Sequence, residues 1–440
     1  MLRFPIRLAL SLAWLSLLAC TGSSAKVDTH PDARAVAADT APDMADAAPL
    51  LADAAQAEDS RHADTAPGVD ARSTDPETAP DSAVVVDADA LNSPDTRPAG
   101  DTQATRDTAA AEASKPVTFA SWPGGNAVTN ASVKNAFGTN LSGLVYQPAM
   151  GTAQAVLWAV QNGPSKVFRL SWNGTAFVPA TTDGWGSGKT LVYPNGSGSP
   201  DSEGLTRTEW EKNEVYVVAE QNTEVSSTSR LSILRFDLSG TATTMKATHE
   251  WNLTSDLPAA SDPNKGLEAI AWIPDTFLVA RGFYDEASKA TYDPAAYTDH
   301  GTGIFLVGVE DTGMIYGFAV NHTAGTFKRV ATFSSGQAGV MDLAFDRETN
   351  TLFSQCDSMC KNTMTLFDID TTEGSSTKGR FILRATLPPP ATLSSDNNEG
   401  ITMAPESECA NNRKGFFWAD DDESNGYAIR RDTIPCGRLF

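Results

Sequence analysis

Between Thr21 and Pro116 the chain contains no phenylalanine, tyrosine or tryptophan. A stretch that poor in large apolar groups cannot offset its ordering entropy, which excludes a packed core there. Histidine is also scarce: five in 440 residues, with His30 and His62 in that same stretch. The other three, His249, His300 and His322, sit at unrelated places in the sequence and support neither a catalytic triad nor a metal cluster. No Gly-x-Ser-x-Gly elbow occurs. The glycine-rich run from Gly184 to Thr190 looks like a phosphate loop, but Asp183 stands where the first glycine is required. Leu191, Val192 and Tyr193 then continue as a strand rather than a helix. Long hydrophobic runs are missing too. Leu8 to Leu18 is mostly apolar but too short to span a bilayer as a helix.

What is present begins with that short apolar run, which follows Arg3 and Arg7 and closes on Leu17-Leu18-Ala19-Cys20. These are the proportions of a signal peptide, expected over residues 1–19. The closing residues resemble the bacterial lipobox, in which the cysteine becomes the acylated N-terminus. Cys20 is therefore the expected lipidation site, with the lipid bilayer as a partner. The other reading is an ordinary secretory signal with an incidental cysteine. Thr21, rather than aspartate, resembles the sorting rule for outer-membrane lipoproteins and favours the outer membrane, on its periplasmic or surface face. Residues 20–116 read as a disordered tether rich in Ala, Asp, Pro and Thr. From Thr21 to Pro116 it has 19 acidic and 7 basic residues, so it repels itself and extends. A partner-binding acidic arm is the alternative.

Residues 117–440 hold every aromatic beyond the signal peptide, enough for one large core, with 36 acidic against 24 basic residues. That balance argues against nucleic acid or an anionic membrane surface as partner. With Cys20 assigned to lipid, Cys356, Cys360, Cys409 and Cys436 remain. An even count in an exported domain predicts two disulfides. Cys356–Cys360 would close a tight loop, and Cys409–Cys436 would staple the last repeat. Zinc is the other reading, for which the spacing is poor.

Five segments repeat an apolar strand, a polar turn and a second strand. The first strands contain Ser142-Gly143-Leu144, Glu203-Gly204-Leu205, Glu268-Ala269-Ile270, Met341-Asp342-Leu343 and Glu399-Gly400-Ile401. The second strands are read at Val156–Gln161, Val215–Glu220, Phe277–Arg281, Leu352–Gln355 and Phe416–Asp420. Third strands follow at Val167–Trp172, Leu231–Leu238, Ile304–Val309, Met364–Ile369 and Tyr427–Arg431. A fourth is visible in most repeats. Short strands at a regular period predict an all-β β-propeller. Five blades are expected, with a sixth, degenerate one conceivable in the insertion Gly282–Gly303. The segment Val117–Gly138 can supply the missing outer strand of the last blade and close the ring.

The run Leu141-Ser142-Gly143-Leu144, with Ser202-Glu203-Gly204-Leu205 and Gly266-Leu267-Glu268-Ala269-Ile270, resembles the SdiA-regulated β-propeller family. Asn398-Glu399-Gly400-Ile401 with Trp418-Ala419-Asp420-Asp421-Asp422 is also similar to the phytase-like esterase propellers. The resemblance spans 140–435 through short motifs. It implies a periplasmic or surface propeller with calcium in or near the central channel, and no single activity.

Stacking the repeats puts Ser142, Glu203, Glu268, Met341 and Glu399 in one column at the channel mouth, with Asp342 under the glycines. Glu220 and Arg281 end second strands at the same level. Converging carboxylates repel unless a cation joins them, and oxygen-only ligands suit calcium better than zinc. Glu203, Glu268 and Glu399 are thus candidate calcium ligands. Structural pairing, above all with Arg281, competes with that reading, and catalytic carboxylates are a third. The run Asp420-Asp421-Asp422 is a weaker candidate: Asp421, Glu423 and Asn425 before Gly426, with Asp432 at the twelfth place from Asp421, faintly copy a calcium loop, which also reads as a solvated turn. Two functions fit. One is an envelope binding module, taking a small molecule or an envelope protein at the mouth. The other is a calcium-dependent phosphoesterase or esterase. No catalytic base is identifiable.

Overall fold

A computed structural model describes Trp122 and residues 127–440, apart from 226–227 and 394–396. The signal-peptide, lipidation and tether readings lie outside the described residues. The described chain folds into five sheets arranged as the blades of a propeller, antiparallel except where Thr244–Lys246 runs parallel to Lys189–Val192 at the edge of the first. The inner strands are Leu141–Gln147, Pro200–Thr206, Leu267–Pro274, Asp342–Asp346 and Asn398–Met403. Each touches the inner strands of the blades on either side, and the fifth returns to the first, which closes the ring.

The core is divided, as this architecture demands. Five separate apolar clusters lie between successive blades. One joins Trp158 and Val160 of the first blade to Val215 and Val217 of the second. Another joins Phe417 and Ala419 of the fifth blade to Leu157 and Ala159 of the first. A strand sandwiched between two blades is buried on both faces. That explains why Val156–Gln161 and Gly303–Val309 are buried at every position and read as unbroken apolar runs.

The N-terminal segment completes the ring. Thr129–Asn130 pairs antiparallel with Ile429–Pro435 as the outer strand of the fifth blade. Ala131 then passes on to the first blade, its carbonyl accepting from Phe177 N at 2.7 Å. Upstream, Trp122 is fully buried against Phe416 and Trp418, and its backbone N–H donates to Pro388 O at 2.8 Å.

The third blade departs from the sequence reading. Phe277–Arg281 is not its second strand, because Asp275–Ala280 is a short α-helix. Phe277 and Leu278 are adjacent and both buried while Val279 is 50% exposed, a pattern that alternating strand faces do not give. Pro274 precedes the helix, and Asp275 favours its positive end. The second strand is Gly303–Val309, followed by Met314–Val320 and Phe327–Ser334. The insertion Gly282–Gly303 holds a two-stranded hairpin, Tyr284–Asp285 with Ala290–Thr291, and no sixth blade. It is pinned by Asp275, which accepts from Tyr292 Oη at 2.8 Å and lies 3.0 Å from His300 Nε2.

Both disulfides are present as paired in the sequence, Cys356–Cys360 and Cys409–Cys436, with Cα separations of 5.6 and 6.2 Å. Cys409–Cys436 links residues 27 apart. Replacing both of its cysteines by serine is expected to lower unfolding free energy by about 3 kcal/mol, from loop-closure entropy. Chemical denaturation measures this, and an unchanged midpoint would show that the bridge does not restrain the unfolded chain.

Candidate metal centre at the channel mouth

In each blade the inner strand starts, and the second strand ends, at the same face, because the two are antiparallel. That face gathers the acids. Asp201, Glu203, Glu268 and Glu399 come from the starts of inner strands, Glu220 from a second strand, and Glu310 and Asp421 from just beyond one.

A register shift marks four of the five inner strands: between Leu141 and Leu144, Ser202 and Leu205, Leu267 and Ala269, and Asn398 and Ile401. Such bulges re-aim side chains next to sites. Each contains one column residue: Ser142, Glu203, Glu268 or Glu399. The fourth blade pairs without a shift from Asp342 to Asp346, and Met341 falls before its strand.

The glycines follow from how closely the strands approach. A Cβ on Gly143 would lie 2.7 Å from Glu203 O and Leu205 N of the next blade, and one on Gly204 would lie 2.7 Å from Glu268 O. Gly400 abuts Ser142 and Gly143 in the same way. Only glycine admits such contact. In the fourth blade Asp342 occupies this place and spans the gap with its side chain, Oδ2 accepting from Ile401 N at 2.5 Å.

The carboxylates are buried: Glu220 is 0%, Glu203 4%, Glu268 6% and Glu399 8% exposed. Their neutral partners are few. Glu203 accepts from Asn162 Nδ2 at 3.1 and 3.3 Å, and Asp201 from Gln221 Nε2 at 2.7 Å. Glu220 Oε1 accepts from Gly266 N at 2.6 Å, and Glu399 Oε1 from Asn397 Nδ2 at 3.2 Å. Glu220 Oε2, Glu399 Oε2 and Asp421 Oδ1 are buried without a well-formed hydrogen bond among the described residues, with the Glu268 carboxyl beside Glu220 and the Ser142 hydroxyl beside Glu399.

Burial raises the proton affinity of every member; neighbouring acids add to it at Glu203, Glu268 and Glu399, whereas hydrogen bonds from Glu268 and Gly266 oppose it at Glu220. Glu203 is held well above the usual carboxylate range by desolvation, then by Glu220 and Glu399. Desolvation likewise raises Glu268, reinforced by Glu220 and Glu203, and raises Glu399, reinforced by Asp421. Glu220 is pushed up to about 8, chiefly by burial, and Asp421 to about 6 for the same reason. At Glu310 the upward pull of burial is partly opposed by Lys265.

Oxygens of Asp201, Glu203 and Glu220 all lie within 4.8 Å of one another, as do oxygens of Glu220, Glu268 and Glu310. These two oxygen-only triads share Glu220. The donor set fits a hard cation such as calcium and lacks the nitrogen or sulfur ligands zinc prefers. Of the column acids, Glu203 and Glu268 thus fall in separate triads. Glu399 adjoins Asp421 and the Ser142 hydroxyl instead.

The other candidates lie elsewhere. Arg281, expected at this mouth, caps the helix that leaves the far end of its inner strand. It pairs with Asp368 at 3.3 Å. Asp420 is engaged by Arg430 at 2.6 Å and by Ser424, Asp422 is exposed, and Asp432, on the third strand, accepts from Ala127 N at 3.1 Å. The twelve-residue loop is therefore not gathered around one point; only Asp421 joins the mouth. Sequence reasoning missed Asp201, although it stands two places before Glu203 on the same strand. It missed Glu310 because the second strand of that blade was misplaced.

Fold and site together define a five-bladed β-propeller with an acid-lined mouth. No known family profile matches the chain, and no curated protein matches it either. Solved structures do. The aldose sugar dehydrogenase of Streptomyces coelicolor, in its PQQ-bound form, is 12% identical over 70% of this chain and 98% of its own, with a TM-score of 0.31. A putative 6-phosphogluconolactonase from Bacteroides uniformis is 12% identical over 68% of this chain and 73% of its own, with a TM-score of 0.30. A chain of a mitotic checkpoint complex is 11% identical over 68% of this chain but only 63% of its own, with a TM-score of 0.31.

Proposed function

We propose that the chain is a lipid-anchored envelope protein whose propeller binds calcium at its acidic mouth and serves as a binding module there. One observation carries the metal reading. Four glutamates, none more than 8% exposed, converge without an ion pair to lysine or arginine among the described residues, and the charges acting most strongly on them are other carboxylates. Buried charge of one sign is held either by protons or by a cation. The low exposure favours a bound ion over a substrate, since none of the four glutamates stands open to a larger molecule. The loops around the mouth then offer the surface for a small molecule or an envelope protein.

A second reading, a phosphoesterase or esterase of the phytase-like type, is favoured by the two triads sharing Glu220. Paired cations in such a site polarise an ester and activate water. The described residues bring no histidine to the mouth to act as base: His249 and His322 pack on Trp251, and His300 lies in the insertion.

Elemental analysis of the purified full chain before and after chelation, with an ester and phosphoester panel alongside, separates these readings. Calcium without turnover supports the binding module, turnover lost on chelation supports the hydrolase, and no retained divalent ion contradicts both. The anchor is tested by Cys20→Ala, which is expected to release the protein from membranes or leave it uncleaved. Unchanged partition into the detergent phase would overturn the anchor and, with it, the outer-membrane assignment.

A further inference from the structure

The face opposite the acids holds a cavity of about 120 Å³. It is lined by the far ends of the inner strands and the turns that follow, with Val145, Thr206, Trp210, Trp272, Phe345 and Met403 among its walls. All five blades contribute, so the cavity is central to the ring rather than an accident of one loop.

We propose that this cavity is a binding site for a small neutral aromatic molecule carrying one hydroxyl group, of the benzyl alcohol or phenol type. Size limits the ligand to a single ring, since even benzene takes an apolar cavity of about 150 Å³; here the ring enters and its substituent stays toward the open side. Shape follows from the walls. Trp210, Trp272 and Phe345 present ring surfaces, and flat partners pack best on rings.

The mixed charges along the wall disfavour an ionic ligand. The Arg347 guanidinium lies 4.0 Å from the Trp210 ring and 4.7 Å from the Trp272 ring. Its two terminal nitrogens are turned back onto the carbonyls of Thr208 and Arg207. It therefore braces the two indoles rather than offering a free fork. Asp346 is neutralised by Lys414 at 2.6 Å, and Glu348 accepts from Glu406 N at the rim. An anion meets Glu348 as well as Arg347, and a cation meets the reverse. A neutral ligand escapes both conflicts. Thr402, whose Oγ1 accepts from Tyr146 N at 2.9 Å, keeps its own proton to donate to the oxygen of the ligand's hydroxyl.

The test is a titration of the full chain with benzyl alcohol, read by ligand-observed magnetic resonance and by tryptophan fluorescence, with cyclohexanol as a non-planar control. Saturable binding at least tenfold tighter than that of cyclohexanol is expected. Ala344→Phe, which adds bulk to the cavity wall, should abolish it while leaving the calcium response of the melt intact. If that variant does not fold, Trp210→Ala on the half-buried turn should weaken binding at least tenfold. Three results overturn the proposal: no saturable binding, equal affinity for the two alcohols, or undiminished binding to a folded Ala344→Phe protein.

Discussion

Trp122→Ala is expected to lower unfolding free energy by about 3–5 kcal/mol, as truncation of a fully buried tryptophan does. The size of the effect comes from where this residue sits. A propeller ring is latched when its last blade takes an outer strand from the other end of the chain. Here the completing strand is just Thr129–Asn130, far too short to hold by its own pairing. Trp122 supplies the missing grip. Its ring fills the cluster between the fourth and fifth blades, 5.3 Å from Trp418 and 6.0 Å from Phe416, and its indole N–H donates to Asn362 O at 2.5 Å. Trp172, which is 36% exposed, provides the control: its alanine variant should cost under about 1 kcal/mol. Denaturant unfolding of both variants decides the matter. Equal effects would mean that the ring closes without the anchor.

The second large effect is on pH dependence once metal is stripped. The acids at the mouth have folded-state proton affinities raised above those of the unfolded chain. Between the two values the folded state holds protons that unfolding releases, so stability falls as pH rises. The window for Glu220 runs from 4.5 to about 8, and for Asp421 from 3.8 to about 6. Each pH unit of such a window is worth roughly 1.4 kcal/mol, so the loss between pH 5 and pH 8 amounts to several kcal/mol. Metal-stripped protein should therefore melt highest near pH 5, and Glu220→Gln should reduce the fall toward pH 8. Saturating calcium replaces the protons and should flatten the profile. A melt that is already flat in the stripped protein would show that the acids ionise freely and that their convergence is harmless.

Much of the ring was legible because propeller blades repeat their pattern. The Ser/Glu-Gly-Leu/Ile strand starts set the register of three blades, and the closing role of the segment before Gly138 followed from the outer strand the last repeat lacked. The third blade was misread because Phe277-Leu278-Val279-Ala280 is a short apolar run, which periodicity alone does not assign to helix or strand. The error reached the site. Taking that run as the second strand put Arg281 at the mouth, where it would have paired the glutamates. The true second strand ends at Val309 and brings Glu310 there instead. One misplaced strand thus exchanged an acid for a cation and made structural pairing look competitive. The bulges were not legible, since they arise from how closely the inner strands pack around the axis.

The central claim, a shared cation at the mouth, is tested most directly by calcium titration of the metal-stripped full chain at neutral pH, followed by thermal melting. An ion that binds only the folded ring stabilises it by about 2.7 kcal/mol at one hundred times its dissociation constant. The account predicts a melting temperature that climbs with calcium and falls again with chelator. Glu220→Gln, at the residue common to both triads, should blunt the response more than Glu399→Gln. A melting temperature indifferent to calcium and chelator alike, in protein shown to be metal-free, would contradict it.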